Sequence, residues 1–218
     1  MIVKKLLIFD LDGTLIDTLI DLNQSVNFAL KLNGFELKDI EHTRKSIGDG
    51  VAMLVKRSLP KDVDEKTYKK VLSDFEDHYK IHSEDNTYPY KEMKEVLVSL
   101  KQKGYLLAVS TNKIEDVAVR LIDKFYRGLF DTVCGDNKIR QRKPAKDSIE
   151  EICRRLSFYD KKNITYIGDT EVDALTAKNA EVNFLLVSYG YRKIDEQKAL
   201  KLDVLGVDSP QKLLNFSK

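Results

Sequence analysis

The chain has 218 residues, 42% hydrophobic and 33% charged, enough to bury a substantial core and remain in solution. That length exceeds the commonest single domain and falls short of two, which suits one α/β core carrying a smaller insert. A formal net charge of +2 argues against a nucleic-acid partner, and no stretch approaches the roughly 20 apolar residues of a membrane span.

The first apolar run, Val3 to Phe9, predicts a buried strand, and Asp10 interrupts it too early for a signal peptide. Asp10-Leu11-Asp12-Gly13-Thr14 follows at once. Two carboxylates one residue apart thus project from the carboxyl end of a strand, where open α/β sheets build their sites. Gly13 permits the tight turn behind them. A helix-like pattern begins at Leu15, and the chain reads as helical from there to about Asp85. Leu15, Leu19, Leu22 and Val26 share one face, which ends at Asn33-Gly34. Val51, Leu54 and Val55 follow Gly50 and stop at Pro60, and Tyr68, Val71, Leu72, Phe75 and Tyr79 form a longer stripe. These stripes read as core. Asp17 and Asp21 continue the pattern Asp-Thr-x-x-Asp-Leu, and an aspartate in a helix's early turns also complements the dipole.

Beyond the insert, helix and strand alternate. Met93, Val96, Leu97 and Leu100 predict a helix closed by Gly104, and Tyr105 to Ser110 a strand ending in Val109-Ser110-Thr111-Asn112-Lys113. Val117, Leu121, Ile122 and Phe125 make the next helix, and Thr132 to Cys134 the next strand. Arg142-Lys143-Pro144 lies in a basic loop before the helix of Ile149, Ile152, Cys153 and Leu156. Ile164 to Ile167 leads into Gly168-Asp169-Thr170-Glu171-Val172-Asp173. Phe184 to Val187 follows, with Leu202 to Leu205 as a candidate edge strand. The fold class expected is α/β: a Rossmann-like parallel sheet with helices on both faces, plus an inserted α-helical cap. Residues 1–15 and 87–218 form the expected core and 16–86 the cap, with hinges near Ile16 to Asp17 and Asn86 to Tyr90. Cys134 and Cys153 read as reduced structural residues, which suits the cytoplasm. His42, His78 and His82 all precede Tyr88, away from the strand-end motifs, so the chemistry falls to aspartates.

If the strand ends meet, Asp10, Asp12, Asp169 and Asp173 share one small volume. Unit charges ~4 Å apart repel by ~4 kcal/mol at an effective dielectric of 20. A cation must therefore sit among them, and an all-oxygen site suits a hard ion such as Mg²⁺ with waters and phosphate. Lys143 supplies further positive charge. Thr111 either caps the helix after it or binds phosphate. The cluster Lys138, Arg140, Arg142, Lys143 and Lys146 has no interleaved aromatics and reads as a phosphate-attracting rim, not an RNA surface.

Taken in order, the four motifs resemble the signature of the haloacid dehalogenase superfamily, specifically its Mg²⁺-dependent phosphatases. The resemblance implies that Asp10 is the nucleophile and forms an aspartyl-phosphate. It makes Asp12 the general acid and then the base. Asp10, the backbone carbonyl of Asp12 and Asp169 would hold Mg²⁺. Thr111 and Lys143 would bind phosphoryl oxygens, with Gly13 and Asn112 lending backbone amides. Asp173 would orient Lys143 or a water on the metal. Asp12 distinguishes the chain from dehalogenating relatives, and Leu11 from P-type pumps. Within the phosphatases, Asp10 to Leu22, Ile47 to Leu59, Thr111-Asn112-Lys113 and Ser188-Tyr189-Gly190-Tyr191-Arg192 resemble phosphoglycolate phosphatases. Arg44, Lys45 and Asp49 flank the Ile47-Gly48 turn and read either as readers of a substrate carboxylate or as a solvated helix end. Tyr90, Lys146 and Glu181 depart from the usual family pattern, which leaves the substrate open. The expected partner is a small phosphate ester, with no nucleic acid or membrane. A phosphosugar mutase, a nucleotide or pyrophosphate phosphatase and a non-catalytic binding module are the alternatives, the last opposed by the complete motif set. No feature separates a monomer from a homodimer.

Overall fold

The computed structural model describes residues 5–192 and 206–216. The chain divides into two compact units, residues 1–16 with 89–218 and residues 17–88. It crosses between them at two short strands, β2 (Ile16–Asp17) and β3 (Tyr88–Pro89).

The larger unit is built on β1 (Leu6–Phe9), β4 (Leu106–Ile114), β5 (Thr132–Asp136), β6 (Ile164–Gly168), β7 (Asn183–Val187) and β8 (Gly206–Val207). They lie in the order β5-β4-β1-β6-β7-β8, and every neighbouring pair is parallel. Winding reverses between β1 and β6, so the crevice for a ligand opens at their carboxyl ends. Phe9 pairs with both Val109 and Ile167, so Asp10, Ser110 and Gly168 stand level where the ladder ends.

A strand buried on both faces reads as a continuous apolar run, and all four residues of β1 are buried. Leu6, Ile8, Ala108, Cys134, Ile164 and Tyr166 pack against α7 (Asp147–Leu156) and α8 (Glu171–Ala180). The two-residue period sends Leu7 and Phe9 to the opposite face. There Phe9 meets Phe130 edge-on at 6.1 Å, and Phe130 meets Tyr126 of α6 (Glu115–Tyr126) at 6.0 Å. The helix α5 (Met93–Gln102) ends before Gly104, whose φ is +86°. Strand β4 runs beyond the apolar stretch, with a register shift against β5 between Ser110 and Ile114. Polarity marked Thr111, Asn112 and Lys113 as the end of that strand, yet all three are buried. The expected edge strand at Leu202 to Leu205 lies outside the described residues, and β8 comes just after it.

The smaller unit is helical: α1 (Leu19–Leu32), α2 (Ile40–Ser46), α3 (Val51–Ser58) and α4 (Glu65–His82). Leu22 and Val26, Leu54 and Val55, and Val71, Phe75 and Tyr79 are buried as their spacing predicts. Asp39 and Asp64 cap α2 and α4 by accepting from His42 N and Thr67 N. Leu15 is a correction, because it lies in a turn and not in a helix. The Leu11 carbonyl accepts the amides of Thr14, Leu15 and Ile16, and α1 starts only after Asp17 Oδ1 accepts from Leu19 N at 3.1 Å. Asp21 is buried and accepts from Asn86 N at 2.9 and 3.0 Å, Asn86 Nδ2 at 3.1 Å and Thr87 Oγ1 at 2.8 Å. It thereby pins the chain that leaves α4. Among the described residues no helix is long and apolar enough to cross a membrane.

Candidate active site

Asp10 follows β1, and its amide donates to Ile167 O of β6 at 2.8 Å, which fixes it beside the end of that strand. The next loop turns at Gly13, where φ is +85° and an added Cβ would sit 2.5 Å from Asp169 Oδ2. From the other side, a Cβ on Gly190 would sit 2.6 Å from Asp169 Cβ. Only residues without a side chain let both loops close on Asp169. The Gly13 amide donates to Ile16 O at 2.9 Å, so the contribution of Gly13 here is room.

Lys143 is delivered by its own backbone. Asn112 clamps it, with Lys143 N donating to Oδ1 at 2.8 Å and Nδ2 donating to Lys143 O at 3.1 Å. The buried Lys143 ammonium then lies 2.8 Å from Asp10 Oδ1, 2.7 Å from Asp173 Oδ1 and 3.0 Å from Tyr166 Oη. Burial alone would discourage its charge, but Asp10 and Asp173 outweigh burial and hold its pKa well above the usual lysine range.

The three buried carboxylates of Asp10, Asp169 and Asp173 each offer an oxygen within 4.8 Å of the others. Their bonding differs. Asp173 uses both oxygens: Oδ2 accepts from Thr170 N at 3.0 Å and Thr170 Oγ1 at 2.7 Å, while Oδ1 accepts from the Lys143 ammonium. Asp169 accepts from Tyr191 N at 2.9 Å and Thr14 Oγ1 at 3.3 Å. Asp10 Oδ1 is buried without a hydrogen bond, since the nearby ammonium lies off the directions that such a bond uses. Burial, opposed by Lys143 and reinforced by Asp173, pushes the Asp10 carboxyl up to about 7. Burial, then Asp173 and Asp10, also raises Asp169 well above the carboxylate range.

Asp12 stands apart from this trio, and its Oδ1 lies 2.8 Å from the buried Lys113 ammonium. Four carboxylates therefore face two ammonium groups, leaving two negative charges in excess. One divalent cation would balance that excess. The open lone pair on Asp10, the all-oxygen donor set and the raised carboxyls of Asp10 and Asp169 fit a hard ion such as Mg²⁺. Asp10 and Asp169 could hold it: each Asp169 oxygen takes a single neutral donor, whereas Asp173 spends Oδ2 on two donors and Oδ1 on the Lys143 ammonium.

Thr111 is buried, and its Oγ1 accepts from Lys113 N at 3.3 Å. On the basic rim, Arg140 pairs with Glu115, and Arg142 pairs with Asp136 at 2.6 Å. In the helical unit, Arg44 is buried and pairs with Glu41 at 3.0 Å, Lys45 is exposed, and Asp49 pairs with Arg57. Sequence reasoning gave no role to Lys113, Tyr166 or Tyr191. Lys113 stood inside a motif already singled out, so its position was available; Tyr166 carried only the signal of an apolar strand.

A family model of the haloacid dehalogenase-like hydrolases matches residues 7–187. The chain is 32% identical over 194 residues to a phosphoglycolate phosphatase of Aquifex aeolicus (strain VF5), covering 88% of this chain and 89% of that protein. It is 31% identical to a phosphoglycolate phosphatase of Mesorhizobium japonicum, covering 86% and 84%. A solved structure of a candidate phosphoglycolate phosphatase from Lactobacillus delbrueckii subsp. bulgaricus superposes with a TM-score of 0.88 at 29% identity, covering 96% of each chain.

Proposed function

We propose, for a chain that belongs to the haloacid dehalogenase-like hydrolase family, that it is a Mg²⁺-dependent phosphatase of small phosphate monoesters, with phosphoglycolate as the leading substrate. The observation that carries this reading is Asp10: a buried carboxylate at a strand end, ion-paired with Lys143 at 2.8 Å and gathered with Asp169 and Asp173. A carboxylate so placed can serve as a nucleophile. An Asp10 oxygen bonds to phosphorus, the ester P–O bond breaks, and the leaving alkoxide takes a proton from Asp12. Asp12, now a carboxylate, then takes a proton from a water that attacks the same phosphorus. The bond to Asp10 breaks, and inorganic phosphate leaves. Lys113 fixes where the Asp12 carboxylate rests between these steps.

Lys143 and Thr111 bind the phosphoryl oxygens, with the Asn112 clamp holding Lys143 at the right height. Asp10, Asp169 and the Asp12 carbonyl would hold Mg²⁺, which when bound would supply positive charge against the phosphoryl group. Asp173 orients Lys143, since both of its own oxygens are engaged. Such a site works by position and charge, as phosphoryl transfer requires. The helical unit contributes to the choice of substrate. Arg44, Lys45 and Asp49 are its candidate readers of a carboxylate; to do so Arg44 exchanges Glu41 for the substrate. The substrate named for the relatives carries such a group, which supports phosphoglycolate. Free, buried Cys134 and Cys153 suit a reducing cytoplasm.

The test is phosphate release from a panel of small phosphate esters, with and without Mg²⁺. Metal-dependent turnover led by phosphoglycolate is the expected result. Isomerisation of a sugar monophosphate primed with a bisphosphate, without net phosphate release, would replace this reading with a mutase. Silence across the panel from folded, metal-supplied protein would reject it.

A further inference from the structure

Lys143 meets Asp10 and Asp173, while Lys113 meets Asp12. Lys113 reaches its place through an irregularity in β4. Ser110 pairs with Cys134 and Ile114 with Asp136, so four steps along β4 answer to two along β5. The surplus makes a bulge, a device that re-aims side chains beside active sites. Within it, Thr111 Oγ1 accepts from Lys113 N at 3.3 Å, and Asn112 holds the Lys143 backbone. Gly135 of β5 makes room, since an added Cβ would sit 2.5 Å from Glu115 Cα and 2.8 Å from Lys113 O. The Lys113 side chain is then only 1% exposed, and its ammonium donates to Asp12 Oδ1 at 2.8 Å. We propose that this bulge, seated on Gly135, makes Lys113 the positioning residue for departure of the leaving group, holding Asp12 where it passes its proton to the ester oxygen.

On the phosphatase reading, on which this role of Lys113 rests, the two lysines divide the reaction. Lys143 faces the nucleophile Asp10, and Lys113 faces the acid Asp12. An oxygen that accepts from an ammonium carries no proton of its own, so the proton given to the leaving group travels on Oδ2 of Asp12. As the ester P–O bond breaks, its electron pair and that proton both end on the departing oxygen. Fixing Oδ1 limits the arc over which Oδ2 can move, and proton transfer depends on such placement. A purely structural ion pair explains less. Burying an ammonium is costly, and exchanging a buried pair for apolar side chains is often neutral or stabilising. Asp12 needs no enclosed partner for its own sake, since its side chain is 21% exposed and water can reach it. Yet the fold sets an enclosed lysine, on a bulge that only a glycine accommodates, against that carboxylate. Position, more than stability, is what the pair supplies.

The experiment compares kcat/KM of wild type and Lys113→Met, with Mg²⁺ saturating, on two kinds of phosphate. One is the best alkyl phosphate of the panel, whose oxygen needs a proton to depart. The other is acetyl phosphate and p-nitrophenyl phosphate, whose leaving groups depart as stable anions. For the alkyl ester kcat/KM should fall by about 10²-fold, the lower end of what a placed acid contributes. For the activated pair it should fall by less than about threefold, because kcat/KM reports only the steps through loss of the leaving group. Acid-quenched Lys113→Met should also hold more phosphoenzyme from acetyl phosphate than wild type, since the attacking water still needs Asp12 as its base. Both kinds are measured on one preparation, so partial unfolding lowers both values and leaves their ratio alone. Gly135→Ala keeps every charged group and should shift that ratio the same way, by about tenfold. An unchanged ratio in either variant would overturn the proposal. Silence of the wild type would reject the phosphatase reading itself, whereas an unchanged ratio in an active enzyme rejects only the role of Lys113.

Discussion

Asp21 in the helical unit and Asp10 at the sheet edge are both buried carboxylates, and they spend their oxygens differently. Asp21 accepts from the backbone and side chain of Asn86 and from Thr87 Oγ1, all at 3.1 Å or less. Asp10 leaves one buried oxygen without a hydrogen bond, shares an ammonium with Asp173, and is pushed up to about 7. A carboxylate buried to hold a fold is satisfied by its neighbours, because an unmet lone pair costs stability. One that is left open, with the cost borne by the surrounding structure, is a candidate for chemistry. The same distinction separates Asp10 from Asp173 within the site itself, where Asp173 has no oxygen to spare.

The sharpest way to break this contrast is Asp10→Asn. Turnover should fall by on the order of 10⁴-fold or more, with the fold retained. The substitution should also change how stability depends on pH. A carboxyl raised from 3.8 to about 7 in the folded state contributes stability below 3.8 that is lost as pH rises through about 7. Metal-free wild type should therefore melt at a higher temperature at pH 5 than at pH 8. Asp10→Asn should show a shallower slope, with Asp169 supplying the remainder. Melting curves across that range decide it; equal slopes in both proteins would mean that Asp10 is not the strained group. Adding Mg²⁺ at pH 8 should recover part of the lost stability.

Lys143→Ala comes next in size. Loss of one preorganised charge should cost ~10²- to 10³-fold in kcat, by analogy with loss of an oxyanion donor. A loss under tenfold in a folded variant would remove Lys143 from phosphoryl binding. Asp21→Ala should do the reverse, costing about 2–4 kcal/mol of stability by leaving buried donors of Asn86 and Thr87 unpaired. Urea unfolding measures that loss. If Asp21→Ala unfolds no earlier than wild type, the satisfied carboxylate was not a structural pin and the comparison fails on that side.

How much of this was legible in the sequence varies with the kind of signal. The parallel sheet was readable because strands buried on both faces are continuous apolar runs, as in Val3 to Phe9 and Ile164 to Ile167. Gathering of Asp10 and Asp169 followed from strand ends that share a level, whereas Lys143 arrives from a loop held by Asn112. Leu15 misled because a buried residue in a turn has the same polarity as one on a helix, and periodicity does not register the Leu11 carbonyl collecting three amides. The short α2 offered too few turns to separate it from its neighbours. Asp12 and Lys113 pair across 101 positions, and no local pattern encodes such a partnership. The open oxygen on Asp10 is a matter of bond direction, which only coordinates carry.

Tyr166→Phe should have the smallest effect and bears on the comparison most finely. The Lys143 ammonium donates to Asp173 Oδ1 and to the Tyr166 hydroxyl, and it forms an ion pair with Asp10. That hydroxyl in turn donates to Ser110 O at 2.8 Å, which ties the ammonium to β4. Removing it deletes no charge and leaves the aromatic ring packed in the core. What is lost is one contact that stops the ammonium from drifting between two carboxylates, together with the donor for a buried carbonyl. Stability should fall by about 1–2 kcal/mol, and kcat by about fivefold with KM nearly unchanged. Steady-state kinetics at saturating Mg²⁺ separate the two parameters. A rise in KM with kcat intact would mean that Tyr166 serves binding and not the alignment of Lys143. No change in either would mean that Asp173 and the Asn112 clamp already fix Lys143, so that charge alone, without the hydrogen-bonded frame around it, distinguishes the open carboxylate of Asp10 from the satisfied one of Asp21.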